Sequence, residues 1–414
     1  VRDDVTELNR ALSTSFGHDL LTEWIPDVLG ATDVIRDLAD GTVAVPERFD
    51  VGWLRVPLAR RTESVPVVPP AVRAHAHLLV ERSLHRQELR PEVFSYRSPV
   101  WDYRSAYRAR QTRMREMGRR GDLPLVLRLD IHRFGQSLPL RVLLDASWMT
   151  GELARYLTEL HRATGRCLLP GHRWANRLGT AALAPIDALL TVTTPGRWLR
   201  WGDDWHVFVR NSAEAEQVRG AVEGGLEALG LRLSEEKSTT EPVSDLFAGP
   251  AHDVAGHPPE VWRRGVQDAD VRALRYALAR IEPDAQVSRA LAGTVRTWPV
   301  LLPRAVQYLD RAVGTPAGQE AARELLEAAH TDRFAAARIL ALVGRHQELA
   351  SGVSDRLLDL AAGCGISGLR ALAARVALCS GRRRLVPEPP PRLLRWIAQG
   401  ADIRRNPPSV ATLL

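Results

Sequence analysis

Two adjacent carboxylates, Asp203 and Asp204, stand in the stretch "WGDDWHVFV" between Trp201 and a run of apolar residues. Neighbouring acids repel, and a strand entering a core does not carry them without a counter-charge. A solvated turn is one explanation and a metal site is the other. The surroundings favour the metal site. A third acid, Asp130, closes the apolar run "LPLVLRLD". If these strands are neighbours in one sheet, the three carboxylates meet at one edge and need cations to neutralise them. Mg²⁺ takes hard oxygen ligands and keeps positions open for substrate phosphates. Two such ions, with Mn²⁺ as the alternative, activate an attacking hydroxyl and stabilise a leaving oxygen in phosphoryl transfer.

Downstream, "SEEKST" contains Lys237, the only lysine among 56 basic residues. An exposed turn is the ordinary explanation of such a stretch. However, lysine can give up its proton at accessible pH when its surroundings shift its pKa, whereas arginine stays charged. A chain that uses arginine everywhere else and lysine here gives the position chemical interest. The net charge of +7 is compatible with a phosphate-bearing partner.

The elements that must position these groups follow from patterning. The stretch "LPLVLRLDIHRF" reads as a buried strand, and "RWLRWGDDWHVFVR" as strand, tight turn, strand. Between them, "SWMTGELARYLTELHRATG" predicts a helix ending near Gly165, and "ANRLGTAALAPIDALLTV" a helix of small residues interrupted around Pro185. "SAEAEQVRGAVEGGLEALG" predicts a helix opened by its serine and closed at Gly230, and "LRLSEEKST" a last strand. Upstream, residues 51–68 read as two short strands joined by a basic turn, and residues 71–89 have helical spacing. "VWDYRSAYRARQTRMREMGRR" (100–120) predicts a strongly basic helix, either a solvated face or a nucleic-acid contact. Beyond residue 260 only short amphipathic helices follow.

Composition is that of a soluble globular chain, 45% hydrophobic and 25% charged, with no apolar run near the ~20 residues of a membrane helix. Three scattered cysteines fit neither a disulfide framework nor a zinc site. With an acidic, polar start unlike a signal peptide, they point to a reducing cytoplasm and no membrane partner.

In this order the segments resemble those of reverse transcriptases. "VLRLDIHRFGQSL" is similar to the first palm motif, "LRWGDDWHVFV" to the Tyr-X-Asp-Asp hairpin, and "LLPGHRWANRLGTAALAPID" to the Leu-Pro-X-Gly segment with its helix. The segment "SAEAEQVRGAVEGGLEALGLRLSEEKST" resembles the helix and strand leading to the motif D lysine, and "VFSYR" (93–97) a shortened finger segment. The resemblance implies an α+β right-hand polymerase with a ferredoxin-like palm sheet, followed by an all-α, thumb-like or HEAT-like repeat domain. Its divisions would be a helical lead-in at 1–50, fingers and palm at 51–250, and helices at 260–414.

The resemblance implies Asp130, Asp203 and Asp204 as catalytic metal ligands for two Mg²⁺, with the Ile131 carbonyl assisting. It implies Lys237 as the acid that protonates departing pyrophosphate. Pro170, Gly171 and Trp201 would line the nucleotide and template pocket, and Arg60 and Arg61 would grip the triphosphate. The family's sugar-filtering aromatic falls on Gly135, with Phe134 just before it, so selection between deoxy- and ribonucleotides rests on whether Phe134 substitutes. Trp201 replaces the hairpin tyrosine.

A helical stack after a compact polymerase resembles the bacterial abortive-infection and defence-associated enzymes. Expected partners are nucleoside triphosphates, a non-coding RNA template and a DNA product, with template-free or protein-primed synthesis also open. The helical domain would bind RNA or join copies into a homo-oligomer. A group II intron-like or diversity-generating enzyme, and a non-catalytic nucleic-acid-binding scaffold, are the competing expectations.

Overall fold

The computed structural model describes residues 51–58, 61–97, 102–248 and 256–382. These are mixed α and β and fall into two compact units, residues 74–248 in one and residues 51–73 with 256–382 in the other. The expected lead-in at 1–50 lies outside the described residues.

A hairpin opens the described chain, with β1 (Gly52–Pro57) antiparallel to β2 (Thr62–Val67). The resemblance groups it with the fingers; the structure makes it part of the helical unit instead. Leu54, Val56, Val65 and Val67 share one core with helical residues such as Leu274, Phe334 and Ile339. A lone two-stranded ribbon is at best marginal in water, so its apolar side has to find a partner surface. Gly52 lets that surface approach, since a Cβ there would lie 2.5 Å from Ile366 Cγ1.

The first unit, which begins at residue 74 within α1 (Pro70–Leu84), then runs α2 (Tyr103–Gly118), β3 (Leu125–Asp130), the short turns α3 (Phe134–Ser137) and α4 (Leu140–Leu144), α5 (Gly151–Thr164), α6 (Arg173–Ala182) and α7 (Ala184–Thr193). It closes with β4 (Trp198–Trp201), β5 (Asp204–Val209), α8 (Ser212–Ala228), β6 (Thr239–Pro242) and α9 (Val243–Ala248). Local chemistry sets the boundaries. Asp102 caps α2 by accepting from the Arg104 and Ser105 amides, and Gly165 ends α5 at φ +68°. Pro185 sits in the first turn of α7, where its missing N–H costs nothing, so the small-residue helix breaks before it. The cap of α8 is Asn211, one residue before the expected serine.

The four strands form one antiparallel sheet in the order β4-β5-β3-β6. Register assigns its faces. Asp130 lies opposite Asp204, Arg128 opposite His206 and Val126 opposite Phe208, so these six side chains share one face. Leu199 and Trp201 of β4 join them. At the far end from the acids, Met114 and Met117 of α2 pack over Val126, Leu199 and Phe208. The opposite face carries Leu127, Leu129, Trp205 and Val207, all buried. There α8 lies against β3 and β5 and buries Ala215, Val218, Val222 and Leu226, a spacing of three and four that makes one stripe.

"LRLSEEKST" departs from the expected strand. Leu233 makes a single bridge to Ile131, residues 235–237 form a turn, and pairing resumes only at Thr239.

The second unit carries α10 (Pro258–Gln267), α11 (Val271–Leu278), α12 (Ala285–Thr297), α13 (Leu302–Ala312), α14 (Pro316–Ala328), α15 (Arg333–Val343), α16 (Asp355–Ala362) and α17 (Ser367–Cys379). Side chains of Asp270, Asp284, Thr315, Asp332 and Ser354 each accept a backbone N–H at a helix start. Each such cap stabilises its short helix by about 1 kcal/mol. Helix α15 is buried nearly all round and packs against α13, α16, α17 and β1, which makes it the centre of the unit. Among the described residues no helix is long and apolar enough to cross a membrane.

Candidate active site

The β4–β5 hairpin has a two-residue loop, Gly202-Asp203, because Trp201 pairs directly with Asp204. Gly202 sits at φ +66°, the conformation that a tight hairpin demands of its first loop residue and that glycine adopts without strain. The loop therefore presents Asp203, and the strand's first residue, Asp204, is held beside Asp130. Ser238 Oγ meets the Asp130 amide at 3.3 Å, and the Ser234 amide donates to the Asp130 carbonyl at 2.8 Å. The end of β3 is thus pinned from the downstream segment.

The acids behave as a strained group. Burial, the hydrogen bond with Asp130 and the charges of Asp203 and Asp130 push the Asp204 carboxyl up to about 7. Asp203 is raised as well, by burial first and by Asp130 second. Lys237 Nζ relieves part of this, lying 3.1 and 3.2 Å from the two oxygens of Asp130. The lysine side chain is 66% exposed, so the contact is free to break without loss of core packing. An open cleft of about 380 Å³ lies along this face, lined by Arg128, Asp130, Asp204, His206, Lys237 and Glu241 among others. His206 is buried under Arg110 Nη2 at 3.2 Å, and that burial with Arg110 and Arg128 pushes it down to about 3, so it is neutral.

The donor chemistry fits a hard divalent cation. Asp130 and Asp204 are directly opposed, all the donors are carboxylate oxygens, and their mutual repulsion is what a cation relieves. Among the described residues no group of three His, Cys, Asp or Glu already surrounds a common point; Asp130 is held by Lys237 instead.

Beneath the loop lies a buried network that joins β4 to α7. On the opposite face of β4, Arg200 is fully buried and forms a two-pronged pair with Asp187 of α7, at 2.8 and 2.5 Å. Trp205 Nε1 donates to the same carboxylate at 3.1 Å. Arg200 Nη1 also donates to the Gly202 carbonyl at 2.8 Å, while the Gly202 amide donates to the buried Ser95 hydroxyl at 2.6 Å. The loop glycine is therefore held at both its N–H and its C=O. Ser95 reaches it because Val93 bridges Arg200 in parallel, which adds the "VFSYR" segment to the edge of β4. The available signal was an acid in "LAPID" and an arginine in "RWLRW", opposite charges placed in apolar segments that bury them.

The remaining expected residues are placed as follows. Ile131 is buried next to Asp130 and bridges Leu233. Pro170 and Gly171 form the turn before α6, with Gly171 at φ +78° and the Pro170 carbonyl 2.9 Å from His172 Nδ1. Phe134 packs onto that helix, since a Cβ on Gly179 would lie 2.7 Å from its ring. Gly135 is exposed, with nothing within 4 Å of a Cβ built there. Trp201 shares the face of Asp204 and meets Tyr103 and Tyr107 edge-on. Arg61 belongs to the β1–β2 hairpin of the helical unit and meets Glu63 at 3.3 Å. Arg60 lies outside the described residues.

No protein-family model matches the chain, and no curated protein matches it in sequence.

Proposed function

We propose that the first unit is the palm of a reverse-transcriptase-like nucleotide polymerase, and that its reaction is divalent-metal-dependent nucleotidyl transfer. The observation that carries this is the direct opposition of Asp130 and Asp204 across β3 and β5, with Asp203 in the adjoining loop. The β-α-β-β-α-β order of the sheet, with the loop strands inserted beside β3, supports it as the ferredoxin-like arrangement that such a palm uses.

Asp130, Asp203 and Asp204 would hold two Mg²⁺ or Mn²⁺ ions. When bound, the ions supply an activated primer hydroxyl and charge neutralisation on the transferred phosphoryl group. Arg200 and Ser95 fix the loop so that Asp203 and Asp204 keep their spacing. Once Lys237 leaves Asp130, its ammonium would give a proton to the departing pyrophosphate. Template use, DNA as product, and a role in bacterial defence rest on the sequence resemblance described above.

Two expected results test this reading. Lys237→Arg keeps a positive charge against Asp130 but removes a titratable proton donor. Single-turnover incorporation should slow by about tenfold or more, with thermal stability unchanged; equal rates would remove the proton-donor role. Gly135→Tyr should fold normally, since space surrounds position 135. It should shift incorporation from ribo- toward deoxynucleotides in a competition assay. An unchanged ratio would show that the sugar does not pass this position.

The contact between Lys237 and Asp130 also favours a second reading, a nucleic-acid-binding scaffold in which the lysine is a permanent counter-ion. It predicts no incorporation with either Mg²⁺ or Mn²⁺ by the purified protein.

A further inference from the structure

Helix α2 carries five arginines against one glutamate, and its residues divide by helical spacing into two neighbouring stripes. Tyr103, Tyr107 and Arg110, spaced by four and three, turn toward the carboxylate end of the sheet. The tyrosine rings are stacked at 7° with centroids 5.8 Å apart. Both meet the Trp201 ring nearly perpendicularly, at 5.3 and 5.8 Å, and the Arg110 guanidinium lies 5.9 Å from the same ring. Tyr103 nevertheless remains 55% exposed. Arg104, Arg108 and Arg115, spaced by four and seven, form the adjacent stripe and are all exposed. That row extends about 16 Å along the helix axis.

Trp201 pairs with Asp204, so the aromatic cluster borders the acid loop directly. A row of exposed arginines leading to an exposed stacked ring is the surface that holds single-stranded nucleic acid: guanidinium groups take the phosphates and an aromatic face takes a base. An acidic protein segment would use the arginines but not the half-exposed Tyr103 ring beside them.

We infer that the outer face of α2 is a track for a single-stranded polynucleotide. Arg104, Arg108 and Arg115 contact its phosphates, and Tyr103, buttressed by Tyr107 and Trp201, stacks on the base nearest the carboxylates. The track rests on the polymerase reading only in that the acids beside it would act on the bound strand; binding itself does not require catalysis.

The test is anisotropy of fluorescein-labelled oligothymidine and oligouridine with the full chain, in chelator, over a series of salt concentrations. Combined Arg104→Glu, Arg108→Glu and Arg115→Glu should weaken binding at least about tenfold and flatten the slope of log affinity against log salt by about 2, three contacts at ~0.7 each. Tyr103→Ala should weaken binding about tenfold, and Tyr103→Phe should restore it. The corresponding glutamine set serves if the charge reversals disturb folding. Undiminished binding by both the arginine set and Tyr103→Ala overturns the track.

The two readings fail separately. Oligonucleotide binding by these residues without any nucleotide incorporation removes the polymerase and leaves the track. Incorporation by a protein whose binding ignores these substitutions does the opposite.

Discussion

Asp204→Asn should abolish divalent-dependent nucleotide incorporation and at the same time stabilise the metal-free protein. Loss of a metal-holding carboxylate removes several kcal/mol of transition-state stabilisation, so the rate should fall at least about 10³-fold. The stability gain follows from linkage. In the unfolded chain this aspartate ionises near pH 4, whereas in the folded chain its carboxyl is pushed up to about 7. The folded state therefore binds the extra proton. Its stability declines as pH rises from about 4 to about 7, and the penalty is complete above that.

At pH 8 asparagine escapes the penalty. The full shift corresponds to about 4 kcal/mol, but partial exposure and sharing of the repulsion with Asp203 and Asp130 reduce the expected gain to about 2 kcal/mol. Unfolding followed by tryptophan fluorescence in chelator should show a higher midpoint for the variant. Adding Mn²⁺ should raise the wild-type midpoint and leave that of the variant almost unmoved. A variant less stable than wild type in chelator, or one that responds equally to Mn²⁺, would overturn the assignment of Asp204 as a strained cation ligand.

Position 204 was legible in the sequence for a physical reason. Alternation and turn chemistry are local, so the apolar run ending at Asp130 and the Gly-Asp-Asp turn could be read without knowing the fold, and the structure pairs them. The helix ends at Gly165 and before Pro185 were legible for the same reason. What escaped depends on tertiary partners. The 52–67 hairpin has the pattern of any half-buried ribbon, and only packing decides that its apolar side joins Phe334 and Ile339 rather than the sheet of the first unit. The segment 231–239 alternates like a strand, yet β3 accepts it for one bridge and then only from Thr239. Ser95 is 107 residues from the Gly202 it holds and Asp187 is 13 from Arg200, and none has a spacing that signals the others. They are drawn together because a charge buried in β4 must find an acid in α7 and because the loop peptide must satisfy both its polar groups.

That network gives the second large effect. Arg200→Ala should cost about 3–5 kcal/mol, because it leaves the Asp187 carboxylate buried without its counter-charge. Burial already raises the Asp187 carboxyl and Arg200 opposes that rise, so the loss should grow with pH as the stranded acid is forced to ionise. Stability alone would not separate a structural role from a positioning one. The discriminating variant is Arg200→Met combined with Asp187→Leu, which removes both charges and fills a similar volume. It should recover the part of the loss that comes from the stranded charge, while the Gly202 and Thr180 carbonyls and the Trp205 N–H, left without these partners at about 1 kcal/mol or more each, keep it below wild type. Its incorporation rate should nonetheless stay about 10²-fold low, with the nucleotide KM little changed, because the Gly202 carbonyl is no longer held and small displacements of reacting groups carry costs of that size. Ser95→Ala, which releases only the Gly202 amide, should lower the rate less and in the same sense. A folded double variant that incorporates nucleotides at the wild-type rate would reduce Arg200 to a packing residue, and would leave the geometry of the acid loop to Gly202 and the strand register alone.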